Sequence, residues 1–240
     1  GPDGQEAPVQ RVGLRDDRVP GGGRVIFSAR VPASGFSVYH LRPGPLPKRT
    51  PLRAEYGEEG FFGARTSACL ENARYRVEFN DQWQMSSITD KETGKELLEA
   101  PARLALLKER PREWPAWNMD WRNREKPQIG YLDGVLSEAY LSEEGPVRVA
   151  ATASWQGVDG SRASRTVRLY SGGAGGRIEI LDEVDWKSQG RSLKAVFPLS
   201  AHNREATYNW EVGTVRRGSN TAKQDEVPSH QWIDLSDAAG

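Results

Sequence analysis

Arg74-Tyr-Arg-Val-Glu-Phe79 decides how this chain is read. Tyr75, Val77 and Phe79 alternate with Arg74, Arg76 and Glu78, so one face is apolar and the other charged. A period of two is the mark of a half-buried β-strand. Working outward, Asn80-Asp-Gln reads as a turn, Met85 to Ile88 as the return strand, and Asp90-Lys-Glu-Thr-Gly94 as the next turn. The same alternation predicts strands at Phe36 to Leu41, Val147 to Trp155, Arg165 to Tyr170, Arg177 to Trp186 and Leu193 to Pro198. Ser171-Gly-Gly-Ala-Gly-Gly176 joins two of them; without the Lys-Ser/Thr of a phosphate loop or a helix behind it, it reads as a hairpin connection. Only Glu99 to Glu109, with Ala100, Leu104 and Leu107, has a helical flavour, weakened by Pro101. The expected class is all-β, an antiparallel sandwich of many strands.

Three stretches separate. Residues 1–45 carry Arg24 to Arg30 and Phe36 to Leu41 as a small β-strand segment. Residues 46–66 read as a linker, introduced by the proline-rich Arg42-Pro-Gly-Pro-Leu-Pro-Lys-Arg-Thr-Pro51. Residues 67–240 form the main β domain.

Lys+Arg and Asp+Glu are both 33, so the formal net charge is zero. Binding a polyanion needs a clustered basic excess, so nucleic acid is not an expected partner. Cys69 is the only cysteine, which excludes an internal disulfide and a cysteine-based metal cluster. No apolar run nears the ~18 residues of a membrane span, and no signal peptide is visible. No membrane partner is expected, and the cytoplasm is the favoured compartment. The Gly1-Pro2 start reads as a cleavage scar and the end at Gly240 is abrupt, so the chain is expected to be cut from a longer protein.

The candidate functional segment is Trp114-Pro-Ala-Trp117-Asn-Met-Asp120-Trp121-Arg-Asn-Arg124-Glu125. Indole faces stack on the apolar faces of sugar rings, and carboxylate, guanidinium and amide groups satisfy hydroxyls. The competing reading is a bulky loop that plugs a sheet core, because tryptophans dominate cores as well as interfaces. Chemistry beyond binding is thin. His40, His202 and His230 show no ligand spacing, and a catalytic zinc usually takes three protein ligands. Cys69 reads as a small core residue. Asp120 with Glu125, or Asp182 with Asp185, could be nominated as a glycosidase pair, but such pairs arise by chance among so many acids.

Leu70-Glu-Asn-Ala-Arg-Tyr-Arg-Val-Glu-Phe-Asn-Asp81 and Ser87-Ile-Thr-Asp-Lys-Glu-Thr-Gly-Lys-Glu-Leu-Leu98 resemble the start of the C-terminal β domain of glycoside hydrolase family 38 α-mannosidases. Trp114 to Asp120 is similar to that family's Trp-x-Ala-Trp-Asp-Ile-Asp segment. Phe197-Pro-Leu, Ala206-Thr-Tyr208, Gly213-Thr-Val-Arg-Arg217 and Glu226 to Ser236 follow in the same order, and Val31 to Leu41 resembles the strand preceding the domain. The resemblance implies a galactose-mutarotase-like supersandwich, truncated at its end. It implies that the aspartate nucleophile and the zinc ligands lie in an N-terminal catalytic barrel whose motifs this chain lacks. No cofactor is then expected here, and zinc is expected in that barrel. The implied partners are the barrel of the same polypeptide and α-mannoside glycans, with a second copy a candidate through an exposed sheet edge. Two departures stand out: Asn118 replaces an aspartate, and Ser229-His-Gln-Trp232 replaces Ala-His-Arg-Trp.

The resulting expectation is a non-catalytic domain of a zinc-dependent retaining α-mannosidase, inactive by itself, that buttresses the barrel and lends a rim to the sugar site. Trp114, Trp117, Asp120, Trp121 and Arg124 are the rim candidates, with His230 and Trp232 second. A stand-alone mannoside-binding module is the alternative. A mutarotase-like enzyme is the third reading, disfavoured because its chemistry wants histidine and glutamate facing one pocket.

Overall fold

The computed structural model describes residues 1–13, 24–44, 51–57, 67–115, 117–224 and 226–238. Along the chain lie β1 (Val9–Val12), β2 (Arg24–Phe27), β3 (Arg53–Tyr56), β4 (Ala68–Glu71), β5 (Tyr75–Phe79), β6 (Met85–Asp90), β7 (Lys95–Glu96) and β8 (Arg103–Lys108). A single helical turn, α1 (Trp121–Arg124), comes next. It is followed by β9 (Gly130–Tyr131), β10 (Leu136–Glu143), β11 (Arg148–Gln156), β12 (Arg162–Tyr170), β13 (Ile178–Asp185) and β14 (Arg191–Val196). The described chain ends with β15 (Glu205–Trp210), β16 (Gly213–Gly218) and β17 (Ile233–Asp234). The all-β expectation holds, and the paired strands are antiparallel.

The quoted strand is β5, and its alternation is realised: Val77 and Phe79 are buried. Leu70 of β4 and Met85 and Ile88 of β6 join them in one apolar cluster. Facing them in the same cluster are Val149, Ala151, Ala153 and Trp155 of β11 and Val167 and Leu169 of β12. The sheet β3-β4-β5-β6-β7 therefore packs face to face on the sheet β10-β11-β12-β13, which makes the sandwich. Each large apolar side chain so buried stabilises the fold by roughly 1.5–3 kcal/mol. Polar cross-ties fix the register. The Trp155 indole N–H donates to the Gln82 carbonyl at 2.9 Å. Buried Asn72 donates to the carbonyls of Tyr170 and Gly175, both at 3.0 Å, while its Oδ1 accepts the N–H groups of Arg74 and Tyr75.

A smaller sheet, β14-β8-β9, covers a second apolar cluster of Leu104, Leu132 and Ala163, with Leu106, Trp186 and Leu193 packed against it. Here the expectation of helical character for Glu99 to Glu109 is corrected, since Arg103–Lys108 is β8. It is the central strand of its sheet, with Leu104 and Ala105, on opposite faces, both buried. A strand covered on both sides shows a continuous apolar run instead of alternation, which periodicity cannot tell from a buried helix.

The N-terminal hairpin β1–β2 is clamped to the sandwich by Gln10, whose Oε1 accepts the N–H groups of Val147 at 3.1 Å and Arg148 at 2.7 Å. Phe36 to Leu41, expected as a strand, belongs to no ladder among the described residues. Within the expected linker, Arg53–Tyr56 forms β3 and pairs with β4, while residues 46–50 and 58–66 lie outside the described residues.

Candidate functional site

The connection from β8 to β9 carries the tryptophan segment. At its tip Trp114 is 69% exposed and Trp117 is 89% exposed. Trp114 adopts φ of 55°, in the left-handed region that a bulky residue avoids. Its carbonyl accepts the N–H groups of Trp117 and Asn118, both at 2.8 Å, which closes a tight turn around Pro115. Ala116 lies outside the described residues. Asn118, where the family pattern has aspartate, donates from Nδ2 to the Glu113 carbonyl at 3.3 Å.

The base of the loop is charged and tied down. Asp120 accepts the N–H of Arg112 at 3.2 Å and pairs with Arg122 at 3.0 Å. Trp121, the first residue of α1, is half-buried. The Arg124 side chain is only 4% exposed. Its guanidinium pairs with Glu109 through Nη2 and with Glu226 through Nε at 2.8 Å, and donates from Nη1 to Ser192 Oγ at 3.3 Å. Lys194 Nζ reaches the other Glu226 oxygen at 2.7 Å. Arg124 is thus committed to a buried ion cluster, whereas Trp114 and Trp117 face outward. Glu109, Lys194 and Glu226 were not nominated from sequence, because no local spacing links them to Arg124.

The second candidate group sits on β15 and the segment after β16. The His230 ring stacks on Trp210 at 5.1 Å, and its Nδ1 accepts the Glu211 N–H at 3.1 Å. In the neutral ring that bond leaves the proton on Nε2. The Arg217 guanidinium lies 5.1 Å from the Trp210 ring centre and 5.4 Å from that of Tyr208, and donates to the Pro228 carbonyl at 2.7 Å. Trp232, half-exposed, takes part through its backbone: its carbonyl accepts from the Asn209 N–H at 3.0 Å and the Ser229 hydroxyl at 2.8 Å. The ring that meets His230 is therefore Trp210, which the sequence reading passed over. Because Glu226 and His230 are close neighbours in the chain, segment 226–232 joins the two candidate groups.

The other nominated chemistry is dispersed. Asp182 is gripped by Arg165 at 2.7 and 2.8 Å, and Asp185 pairs with Lys187 at 3.2 Å. His202 lies 2.9 Å from Glu99, exposed. Burial pushes the Cys69 thiol up, against the pull of Arg76, which disfavours the nucleophilic thiolate. Among the described residues no three of His, Cys, Asp and Glu come together as a metal site. No helix there is long and apolar enough to cross a membrane. A cleft of about 830 Å³, lined by Val9, Phe27, Tyr39, His40, Leu41 and Pro146 among others, lies at the N-terminal hairpin and includes none of the candidate residues.

Comparison with known proteins decides the family. Residues 70–240 match the model of the glycosyl hydrolases family 38 C-terminal domain. This chain belongs to that family. The family 38 domain is similar to alpha-mannosidase 2C1 of Homo sapiens, 28% identical over 96% of this chain and 22% of that protein. It is equally similar, at 28% identity, to alpha-mannosidase 2C1 of Mus musculus, over 91% of this chain and 21% of that protein. The chain thus spans about a fifth of the length of the curated relatives it matches.

Proposed function

We propose that this chain is a non-catalytic β domain of a zinc-dependent, retaining α-mannosidase, buttressing the catalytic barrel and lending side chains to the rim of its sugar site. The observation that carries the reading is the contrast within one loop: a base locked by the Arg124–Glu109–Glu226 cluster, and a tip presenting Trp114 and Trp117 to the outside. A strained, exposed Trp114 beside an exposed Trp117 on a rigid base is what a recognition surface needs, since the strain persists only where surrounding structure enforces it. In this reading Trp117 stacks on a mannose ring, and the polar edge of the loop meets hydroxyls. Arg124 acts as a positioning residue: it holds the loop and touches no sugar.

Among the described residues no three metal-ligating side chains assemble, and no step here runs through zinc. The metal and the nucleophile belong, in this proposal, to the barrel. The domain supplies contact and alignment, which lower the barrier by orienting the substrate.

Kinetics of the full-length polypeptide test this. Trp117→Ala is expected to lower kcat/KM for an α-mannoside by about tenfold or more, the loss of one stacking contact worth roughly 1.4 kcal/mol, with zinc content unchanged. The 240-residue chain is expected to cleave nothing. Unchanged kcat/KM removes the rim role, and mannoside cleavage by this chain alone overturns the reading. Saturable binding of mannose oligosaccharides to the isolated chain, lost on Trp117→Ala, favours the stand-alone binding module.

A further inference from the structure

β15 and β16 are joined by a two-residue tip, Glu211-Val212, beyond the closing pair Trp210 and Gly213. Val212 is fully exposed. Glu211 holds φ at 41°, in the left-handed region that favours glycine, and such a conformation persists where the surroundings enforce it. The residue that grips this tip from outside the hairpin is His230. Its Nδ1 accepts the Glu211 N–H at 3.1 Å, and its ring stacks on Trp210 at 5.1 Å with 29° between the planes. The backbone of the same segment is fastened to β15 by groups that do not titrate. The His230 N–H donates to the Asn209 carbonyl at 3.1 Å, the Gln231 N–H to Asn209 Oδ1 at 3.1 Å, and the Asn209 N–H to the Trp232 carbonyl at 3.0 Å. The tip is therefore held by an acceptor that a proton can remove, next to a strap that a proton leaves intact.

A neutral imidazole keeps one ring nitrogen free to accept, whereas the imidazolium carries N–H on both and accepts nothing. His230 is exposed, so solvent delivers that proton. We infer that His230 is a pH-operated latch: neutral, it clips the β15–β16 tip to segment 226–232; protonated, it lets the tip go while the strap stays in place. Histidine is the side chain whose charge changes in the range of about pH 5 to 8, which sets where the latch works. The charges around the contact favour release. Arg217 shares a face of the hairpin with Trp210, its guanidinium 5.1 Å from that indole and tied to the Pro228 carbonyl, so an imidazolium stacked there faces a second cation. Glu211, exposed at the tip, is the acid on hand for the imidazolium, and it pairs as a carboxylate instead of through its N–H. Glu226, earlier in the segment, is taken by Arg124 and Lys194. Glu205 of β15 lies on the opposite face from Trp210, as do Arg216 and Asp234, which both pair with Thr207. No sugar contact enters this latch, so failure of the Trp117→Ala experiment leaves it standing.

Amide exchange resolved by NMR on the 240-residue chain, expressed at each pH against the rate of an unstructured amide, tests the latch. The Glu211 N–H is expected to lose at least about tenfold in protection between about pH 7.5 and pH 5, in step with titration of the His230 ring. The Gln231 N–H, bonded to an amide oxygen, is expected to keep its protection over the same range. His230→Asn supplies a side-chain oxygen that accepts at every pH, and is expected to keep the Glu211 N–H protected throughout. His230→Ala is expected to leave it unprotected throughout. Equal protection at the two ends of the range in the unaltered chain overturns the inference, as does protection that survives in His230→Ala. The same fall in His230→Asn also overturns it, because the ring's proton is then not the cause. A fall shared by Gln231 does so too, because the whole segment then loosens and no latch is at work.

Discussion

Arg124 and Glu226, far apart in sequence, meet at 2.8 Å beneath the tryptophan loop. The contact links α1 to the segment that carries His230, and Glu109 and Lys194 complete the charge balance. Removing Arg124 strands the Glu109 carboxylate beneath the loop, while Glu226 keeps Lys194. Arg124→Met is therefore expected to cost about 3 kcal/mol, near the lower end for buried pairs because Glu226 keeps some exposure. Urea unfolding measures it. Adding Glu109→Gln should recover part of the loss, because residues in one network do not act additively. A cost below about 0.5 kcal/mol, typical of surface pairs, would remove the cluster as the anchor of the loop.

Trp114 is a large residue in the left-handed region and mostly exposed. Replacing it with glycine relieves about 1–2 kcal/mol of backbone strain while adding a comparable chain-entropy cost. Trp114→Gly is expected to change unfolding stability by less than about 1 kcal/mol, yet to weaken kcat/KM of the full-length polypeptide severalfold. A large loss of stability would show that the indole is structural.

Gly145 shows how a single missing side chain docks the N-terminal hairpin. A Cβ there would stand 2.3 Å from Gln10 Cδ, in the path of the side chain that caps Val147 and Arg148. Gly145→Ala is expected to displace Gln10 and cost about 1–3 kcal/mol, the penalty for leaving buried N–H groups unpaired. Faster amide exchange at Val147 and Arg148 is the local signature, and unchanged exchange there would refute the clamp.

Acid should weaken the fold through particular carboxylates. The Ser188 hydroxyl first, then the Ser161 N–H at 2.9 Å, hold Asp159 down to about 2 from an ordinary 3.8. The Tyr170 hydroxyl at 2.6 Å lowers Glu179, and Lys91 at 2.6 Å lowers Glu71, both from 4.5. A carboxyl with a depressed folded pKa stabilises fully above its unfolded value, and the contribution is lost as pH falls through the folded value. Stability is therefore expected to hold above about pH 5 and to decline below about pH 4.5, with the Asp159 share leaving last, toward pH 2. Asp159→Asn should flatten the lowest part of that curve. An NMR titration placing Asp159 near 3.8 would contradict the assignment.

The sequence by itself determined the strand class and which face of β5 meets the core. Residues 74–79 alternate because one face is buried and the other wet, and that periodicity survives in the linear string. The same string carried the family resemblance and drew attention to the tryptophan loop. It misled at residues 99–109, where burial on both faces of β8 erased the alternation, and at 36–41, where a strand-like pattern found no partner among the described residues. Only the tertiary structure decided which loop residues face outward and which are spent on anchoring. Arg124, Glu109 and Glu226, like His230 and Trp210, acquire their roles from distances between remote segments, and chain folding creates those distances where no local spacing can encode them.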